Sequence, residues 1–212
     1  MMTNNHGKWI LSKTDKFWNE IAPNEHVVQI YEDDELFLQM LAGFTGSGIN
    51  AGDSVIIIAT AAHISSLERR LIAHGIYLPV LIESNTYIPI DAQELLSGFM
   101  VNGLPDKKLF MDLVSVILQK AIRNNKNVRA FGEMVALLWA EGLIDATIEL
   151  EKLWNEVTAN HKLTLFCAYP KNGFDYDTRR SINDICQTHC KMIEATEKPL
   201  TEILYRDVQH ID

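Results

Sequence analysis

The stretch Asn50-Ala51-Gly52-Asp53-Ser54-Val55-Ile56-Ile57-Ile58-Ala59-Thr60 decides the fold. Asn, Gly and Asp near its start are turn residues, and an unbroken apolar run begins at Val55. A strand with one wet face alternates apolar and polar residues. A run without alternation is buried on both faces, as in a parallel sheet covered by helices on each side. Thr60 then offers a hydroxyl to cap a helix whose inward face would hold Ile64, Leu67 and Leu71 before Gly75 stops it.

Upstream, His26–Tyr31 (HVVQIY) reads as a β-branched strand. Asp33 or Asp34 caps a helix with Leu36, Phe37, Met40, Leu41 and Phe44 on one face, and Gly46 and Gly48 are expected to end it. Residues 1–24 read as an N-terminal extension, with Trp9, Phe17 and Trp18 available to dock on the domain or on a partner and Pro23 closing any helix. Downstream, Val80–Glu83 reads as a third strand, Tyr87–Ile90 as a further extended candidate, Asp91–Met100 as a short helix and residues 102–105 as a loop. Asp106 caps a long helix, Val128–Phe131 is a strand, and a helix around Ala146–Asn160 buries Leu150, Leu153, Trp154 and Val157. Leu163–Ala168 is a buried strand, and a helix near Thr178–Cys190 turns Ile182, Ile185 and His189 one way. This order predicts an α/β three-layer sandwich with a largely parallel central sheet, one domain over 25–212.

Composition narrows the function classes. The chain carries 19 basic and 28 acidic residues in 212, a net charge of −9, which repels phosphate backbones and anionic lipid. No nucleic-acid or membrane role is expected. The first residues lack an apolar signal core, and the three cysteines, Cys167, Cys186 and Cys190, make no disulfide framework, so a reducing cytoplasm is the expected compartment.

Neither GxxxxGK[ST] nor GxGxxG occurs. Thr45-Gly46-Ser47-Gly48 is rich in glycine, but it follows a helix pattern, whereas a phosphate loop lies between a strand and a helix so that its N–H groups converge on the anion. No GxSxG elbow and no HExxH zinc helix is present.

Several segments in order resemble the MEDS family, sensory domains of the methanogen/methylotroph DcmR type. They are HVVQIY at 26–31, GINAGD at 48–53, LSGFMVNGLPD at 96–106, RAFGEMVALLW at 129–139 with Gly142, LEKLWN at 150–155, LFCAYP at 165–170 and ICQTH at 185–189. The resemblance implies a KaiC/RecA-like fold that lacks the phosphate loop. Where KaiC-like ATPases place paired acidic residues after the second strand, this chain has Ala59-Thr-Ala-Ala-His63. Phosphoryl transfer would therefore miss its main electrostatic groups, and no enzymatic activity is expected. The implied role is signal input: binding of a small organic ligand and relay to a histidine kinase or transcriptional regulator, with a homodimer left open. The alternatives are a non-catalytic protein-interaction module and a degenerate nucleotide binder without ATPase activity.

In an open parallel sheet, ligands sit beyond the carboxyl ends of the strands. The expected ligand contacts are His26, Tyr31, Thr60, Gly132, Glu133, Tyr169 and His189, gathered on one rim around a cavity. Glu133 leads, because a carboxylate just after a buried strand must be paired or solvated; a helix-dipole role is the plain alternative. Gly132 would let a ligand approach. His26 and His189, where the resembled family also carries His, would contact a ligand or serve as satisfied structural histidines. Tyr31 and Tyr169 would gate a pocket or mark the core boundary, and Trp139 and Trp154 are core. A metal on Cys186, His189 and Cys190 falls short of four ligands, so neither metal nor other cofactor is expected. A hydrolytic triad of Cys167, His189 and Glu133 is disfavoured because the thiol lies within a strand. Cys167 is expected to be inert.

Overall fold

A computed structural model of the chain describes residues 13–122, 127–171, 185, 187–194 and 204–207. Five strands form the core of the main sheet: β1 (His26–Tyr31), β2 (Ser54–Ala59), β3 (Tyr87–Asp91), β6 (Val128–Gly132) and β7 (Leu163–Pro170). With β8 (Lys191–Glu194) and β9 (Leu204–Asp207) the order is β3-β2-β6-β7-β1-β8-β9. All pairings are parallel except β8 with β9. The Val55–Ala59 run lies in β2, between β3 and β6, and every residue of that strand is buried, as its lack of alternation requires.

Helices cover both faces, completing the three-layer sandwich. One side carries α1 (Lys13–Glu20), α2 (Asp34–Ala51), α3 (Ala61–Ala73) and α4 (Leu78–Glu83), and meets the sheet through Phe37, Leu41, Phe44, Leu67, Val55 and Phe166. The other carries α5 (Ala92–Ser97), α6 (Lys107–Ala121), α7 (Met134–Ala140) and α8 (Ile144–Asn160), packed through Phe110, Leu118, Trp139, Leu150, Trp154 and Leu165. The period of two in β7 decides which side chain goes where: Leu165, Cys167 and Tyr169 face α8, while Phe166 and Ala168 face α2.

Three local expectations change. The α2 helix does not stop at Gly46 and Gly48. It runs through them to Ala51, where Gly52 (φ 83°) takes the left-handed cap. The second glycine serves packing instead: a Cβ on Gly48 would sit 2.8 Å from Arg129 Cδ and from Val55 Cγ2. Arg129 uses that space to reach Asp53 Oδ2 at 2.8 Å and Ser47 Oγ at 2.9 Å, a buried ion pair with its own hydrogen bond. Residues 80–83 belong to α4, with a proline in its first turn, and the edge strand is Tyr87–Asp91. Residues 102–105 form a hairpin rather than an open loop, joining β4 (Met100–Val101) to β5 (Leu104–Pro105), with Asn102 and Gly103 at φ 50° and 82°.

The N-terminal segment docks on its own domain through α1. Phe17 and Trp18 are buried, and Trp18 Nε1 donates to Met40 O at 3.1 Å while its ring meets Phe44 and Phe166. Trp9 lies outside the described residues, as does most of the helix expected near 178–190, including Ile182 and Cys186. Among the described residues, no helix is long and apolar enough to cross a membrane.

Candidate functional site

The seven residues singled out in the sequence do not share one rim. The structure divides six of them between two clusters on opposite faces of the sheet and leaves Gly132 outside both.

The first cluster lies at the carboxyl ends of β1, β2 and β6. Thr60 caps α3, its hydroxyl accepting from His63 N at 3.4 Å. Glu133 follows β6 and reaches across to that same turn: its Oε2 accepts from Thr60 N at 2.8 Å, and its Oε1 lies 2.7 Å from His63 Nδ1. Tyr31 stacks on Phe37 at 4.6 Å, and Phe37 meets the His63 ring edge-on at 5.1 Å. The hydrogen bond to Glu133 pushes His63 above its usual pKa of 6.5 against a smaller opposing effect of burial. Burial, with help from Glu133 and Asp34, pushes the Tyr31 hydroxyl up. This cluster touches water, since the His63 side chain is 21% exposed.

Gly132 does not open onto that cluster. A Cβ there would point at the Trp154 indole, 3.8 Å from its Nε1, so the expected close approach is an ordinary packing contact. The nearby cavity, about 10 Å³ between Ile56, Ile58, Val114, Ala130 and Trp154, is apolar. It matches roughly one water in size, too little for an organic ligand.

The second cluster is buried between the sheet and α8. His26 starts β1, so it sits at the amino end of its strand, contrary to the rim expected for it. Parallel pairing places Val28 beside Cys167 and Ile30 beside Tyr169, which brings His26, Cys167 and Tyr169 onto one face. Glu151 of α8 comes down among them, and His189 closes the group just before β8. His26 Nε2 lies 3.3 Å from Cys167 Sγ and 3.5 Å from Glu151 Oε2. His189 Nε2 lies 3.5 Å from Glu151 Oε1, to which the Tyr169 hydroxyl donates. The two imidazole centroids are 4.0 Å apart.

Both imidazoles are held by their outer nitrogens. Asn155 Nδ2 donates to Thr188 O at 2.8 Å, which turns its Oδ1 toward His26 Nδ1 at 2.8 Å. His189 Nδ1 lies 2.7 Å from the Ile185 carbonyl. A carbonyl oxygen only accepts, so each Nδ1 carries the hydrogen and each Nε2 turns a bare lone pair inward. The 3.5 Å separations from Glu151 would suit ion pairs, but burial decides otherwise. It lowers His26 to about 4, its bonds to Asn155 and Thr188 only partly opposing this, and raises Glu151 to about 8 against the Tyr169 bond. His189 is pushed down by burial and by His26, and the Cys167 thiol is pushed up by burial and by Glu151. Near neutral pH the group is uncharged, and Cys167 is no nucleophile.

The disfavoured triad of Cys167, His189 and Glu133 does not assemble: the acid beside that thiol and imidazole is Glu151, while Glu133 belongs to the other cluster. Of the set Cys186, His189 and Cys190, His189 reaches the cluster, Cys190 is exposed, and Cys186 lies outside the described residues. Sequence reading missed Glu151 and Asn155. A signal was present, because Glu151 falls on the helical stripe of Leu150, Trp154 and Val157, where a charged residue is out of place.

No curated protein matches the sequence. Among solved structures, a KaiC-like protein from the hyperthermophilic archaeon Pyrococcus horikoshii is similar with a TM-score of 0.59 at 13% identity, over 88% of this chain and 81% of that one. A second Pyrococcus horikoshii protein is similar with a TM-score of 0.58 at 11% identity, over 92% of both chains. Flagellar accessory protein FlaH from Methanocaldococcus jannaschii is similar with a TM-score of 0.50 at 12% identity, over 96% of this chain and 88% of that one. At such identities the likeness carries the fold alone, which is KaiC/RecA-like. The family model for MEDS, the methanogen/methylotroph DcmR sensory domain, matches residues 25–190, a span that contains both clusters. The chain therefore belongs to the MEDS family of sensory domains.

Proposed function

We propose that this sensory domain takes a small organic ligand at the rim cluster of Tyr31, Thr60, His63 and Glu133, and passes the event to a kinase or transcriptional partner without catalysis. The observation that carries the reading is the bridging role of Glu133. One carboxylate joins the end of β6 to the first turn of α3 through Thr60 N and His63 Nδ1. A ligand with a hydroxyl, amide or amine donor can replace either bond, and α3 is then free to shift.

Two further features support it. The rim is where open α/β sheets receive ligands, and here it is reachable from solvent, unlike the cluster under α8. At the far end of α3, Ile72 and Tyr77 are each 59% exposed, an apolar surface on which a partner would register movement of the helix. The ligand can shift the domain only as far as its affinities for the two states differ.

The test is a thermal-shift screen of small alcohols, aldehydes, halocarbons and nucleotides on the wild-type chain and on Glu133→Ala. The expected result is a stabilising hit among the polar organics that disappears in the variant. A hit that survives in Glu133→Ala, or silence from every class, defeats the reading.

A further inference from the structure

The cluster under α8 has the arrangement of a metal site, and its features come from geometry that the rim does not share. Four potential ligand atoms, one each from His26, Glu151, Cys167 and His189, all lie within 4.8 Å of one another, and all four residues are fully buried. Bonds of about 2.0–2.3 Å to a tetrahedral ion place its ligand atoms roughly 3.3–3.8 Å apart. With Glu151 Oε2 as its ligand atom, His26 Nε2 lies 3.3 Å from Cys167 Sγ and 3.5 Å from Oε2, Cys167 Sγ lies 4.0 Å from Oε2, and His189 Nε2 lies 3.5 Å from the other oxygen of the same carboxyl. A small contraction around a central ion would close the set.

The surroundings also suit ligation. Both histidines donate Nδ1–H outward, His26 to Asn155 Oδ1 and His189 to Ile185 O, so both Nε2 lone pairs converge on the same point. His189 Nε2 has no hydrogen-bond partner among the described residues, although it is buried. The Tyr169 hydroxyl holds Glu151 Oε1, which leaves Oε2 beside His26 and Cys167.

The geometry points to a single tetrahedral transition-metal ion held by His26, Glu151, Cys167 and His189, of the zinc class. The donor set selects the ion: imidazole and thiolate suit zinc and its late first-row neighbours, and magnesium or calcium would want oxygen alone. Two neutral imidazoles, one thiolate and one carboxylate around a divalent cation sum to zero charge, the condition for full burial. Loading releases the Cys167 and Glu151 protons to solvent. Since all four positions are filled by protein, the ion is structural. It ties β1, β7 and α8 to the segment leading into β8. This inference is independent of the rim reading.

The test is cobalt substitution of the full chain, purified from cobalt-supplemented minimal medium. The expected result is one cobalt per chain, visible bands of tetrahedral Co²⁺ and a near-ultraviolet sulfur-to-cobalt charge-transfer band. That band is lost in Cys167→Ser and kept in Cys190→Ser and His63→Ala. Should Cys167→Ser not fold, Asn155→Ala decides the matter: it keeps all four ligands but frees the His26 ring, and metal affinity measured by chelator competition falls about 10–100-fold. Cobalt bound with six-coordinate bands, a charge-transfer band that persists in folded Cys167→Ser, unchanged affinity in Asn155→Ala, or a chain that takes up no metal would each overturn the assignment.

Discussion

The two clusters use nearly the same groups and reach opposite electrostatic states. Glu133 meets His63 with Tyr31 nearby at the edge of the sheet; Glu151 meets His26 and His189 with Tyr169 under a helix. At the rim, water remains close, the carboxylate's hydrogen bond prevails, and the imidazole is pushed toward its charged form. Beneath α8, burial prevails, His26 drops to about 4 and Glu151 climbs to about 8. The lesson is that a carboxylate and a histidine do not define a site by identity alone. Whether they make a soft, replaceable contact or a set of neutral donors waiting for a cation is settled by what covers them.

Substitutions can break that contrast. The largest effect is expected from Glu151→Ala, which removes the acceptor of the Tyr169 hydroxyl and leaves His26 and His189 facing empty space. Stability to urea should fall by about 3 kcal/mol, and a loss below about 1 kcal/mol would mean that the interior relaxes easily. Glu133→Ala should cost less, about 1–2 kcal/mol, because water can replace the bonds to Thr60 N and His63. Equal losses at the two glutamates would erase the distinction between the clusters. Tyr169→Phe should cost about 1 kcal/mol, the net worth of one buried hydrogen bond, with no change in the chain's secondary structure by circular dichroism.

The smallest effect concerns pH, and it sharpens the comparison by sign. The groups facing His63 are Glu133 and Asp34, both acidic, and its folded pKa is raised above 6.5. A raised histidine gives stability that is fully present below the unfolded value and disappears as pH rises through the folded one. The stability gap between wild type and His63→Gln should therefore be widest below about pH 6.5, narrow above it, and stay under about 1 kcal/mol in view of partial exposure. A gap that widens with pH would show that the Glu133 contact does not govern this imidazole.

Much of the fold was legible because burial on both sides leaves an unmistakable trace. Val55–Ala59 is apolar without alternation, Val128–Phe131 and Leu163–Ala168 are interrupted only by Arg129 and Thr164, and each is a parallel strand of the main sheet. Short elements were less legible. Val80–Glu83 has the composition of a strand, yet tertiary packing makes it a helix turn; Gly46 and Gly48 look like a stop, yet both sit inside a helix, and at Gly48 the missing side chain leaves room for Arg129. The candidate residues were named one by one and misplaced as a group. Reading strand ends one at a time puts His26 and Tyr169 on the rim, whereas the register of β1 against β7 puts their side chains on an inner face. Glu151 stayed hidden because helical periodicity was read for what is apolar, and its oddity lay in being the exception.

The indole of Trp18 has a practical consequence. The family match begins at residue 25, but Trp18 is 1% exposed and fills the space over Phe44 and Phe166. A fragment trimmed to the family border would leave two phenylalanines uncapped, so the shortest fragment worth expressing begins no later than Lys13, outside the region by which the family is recognised.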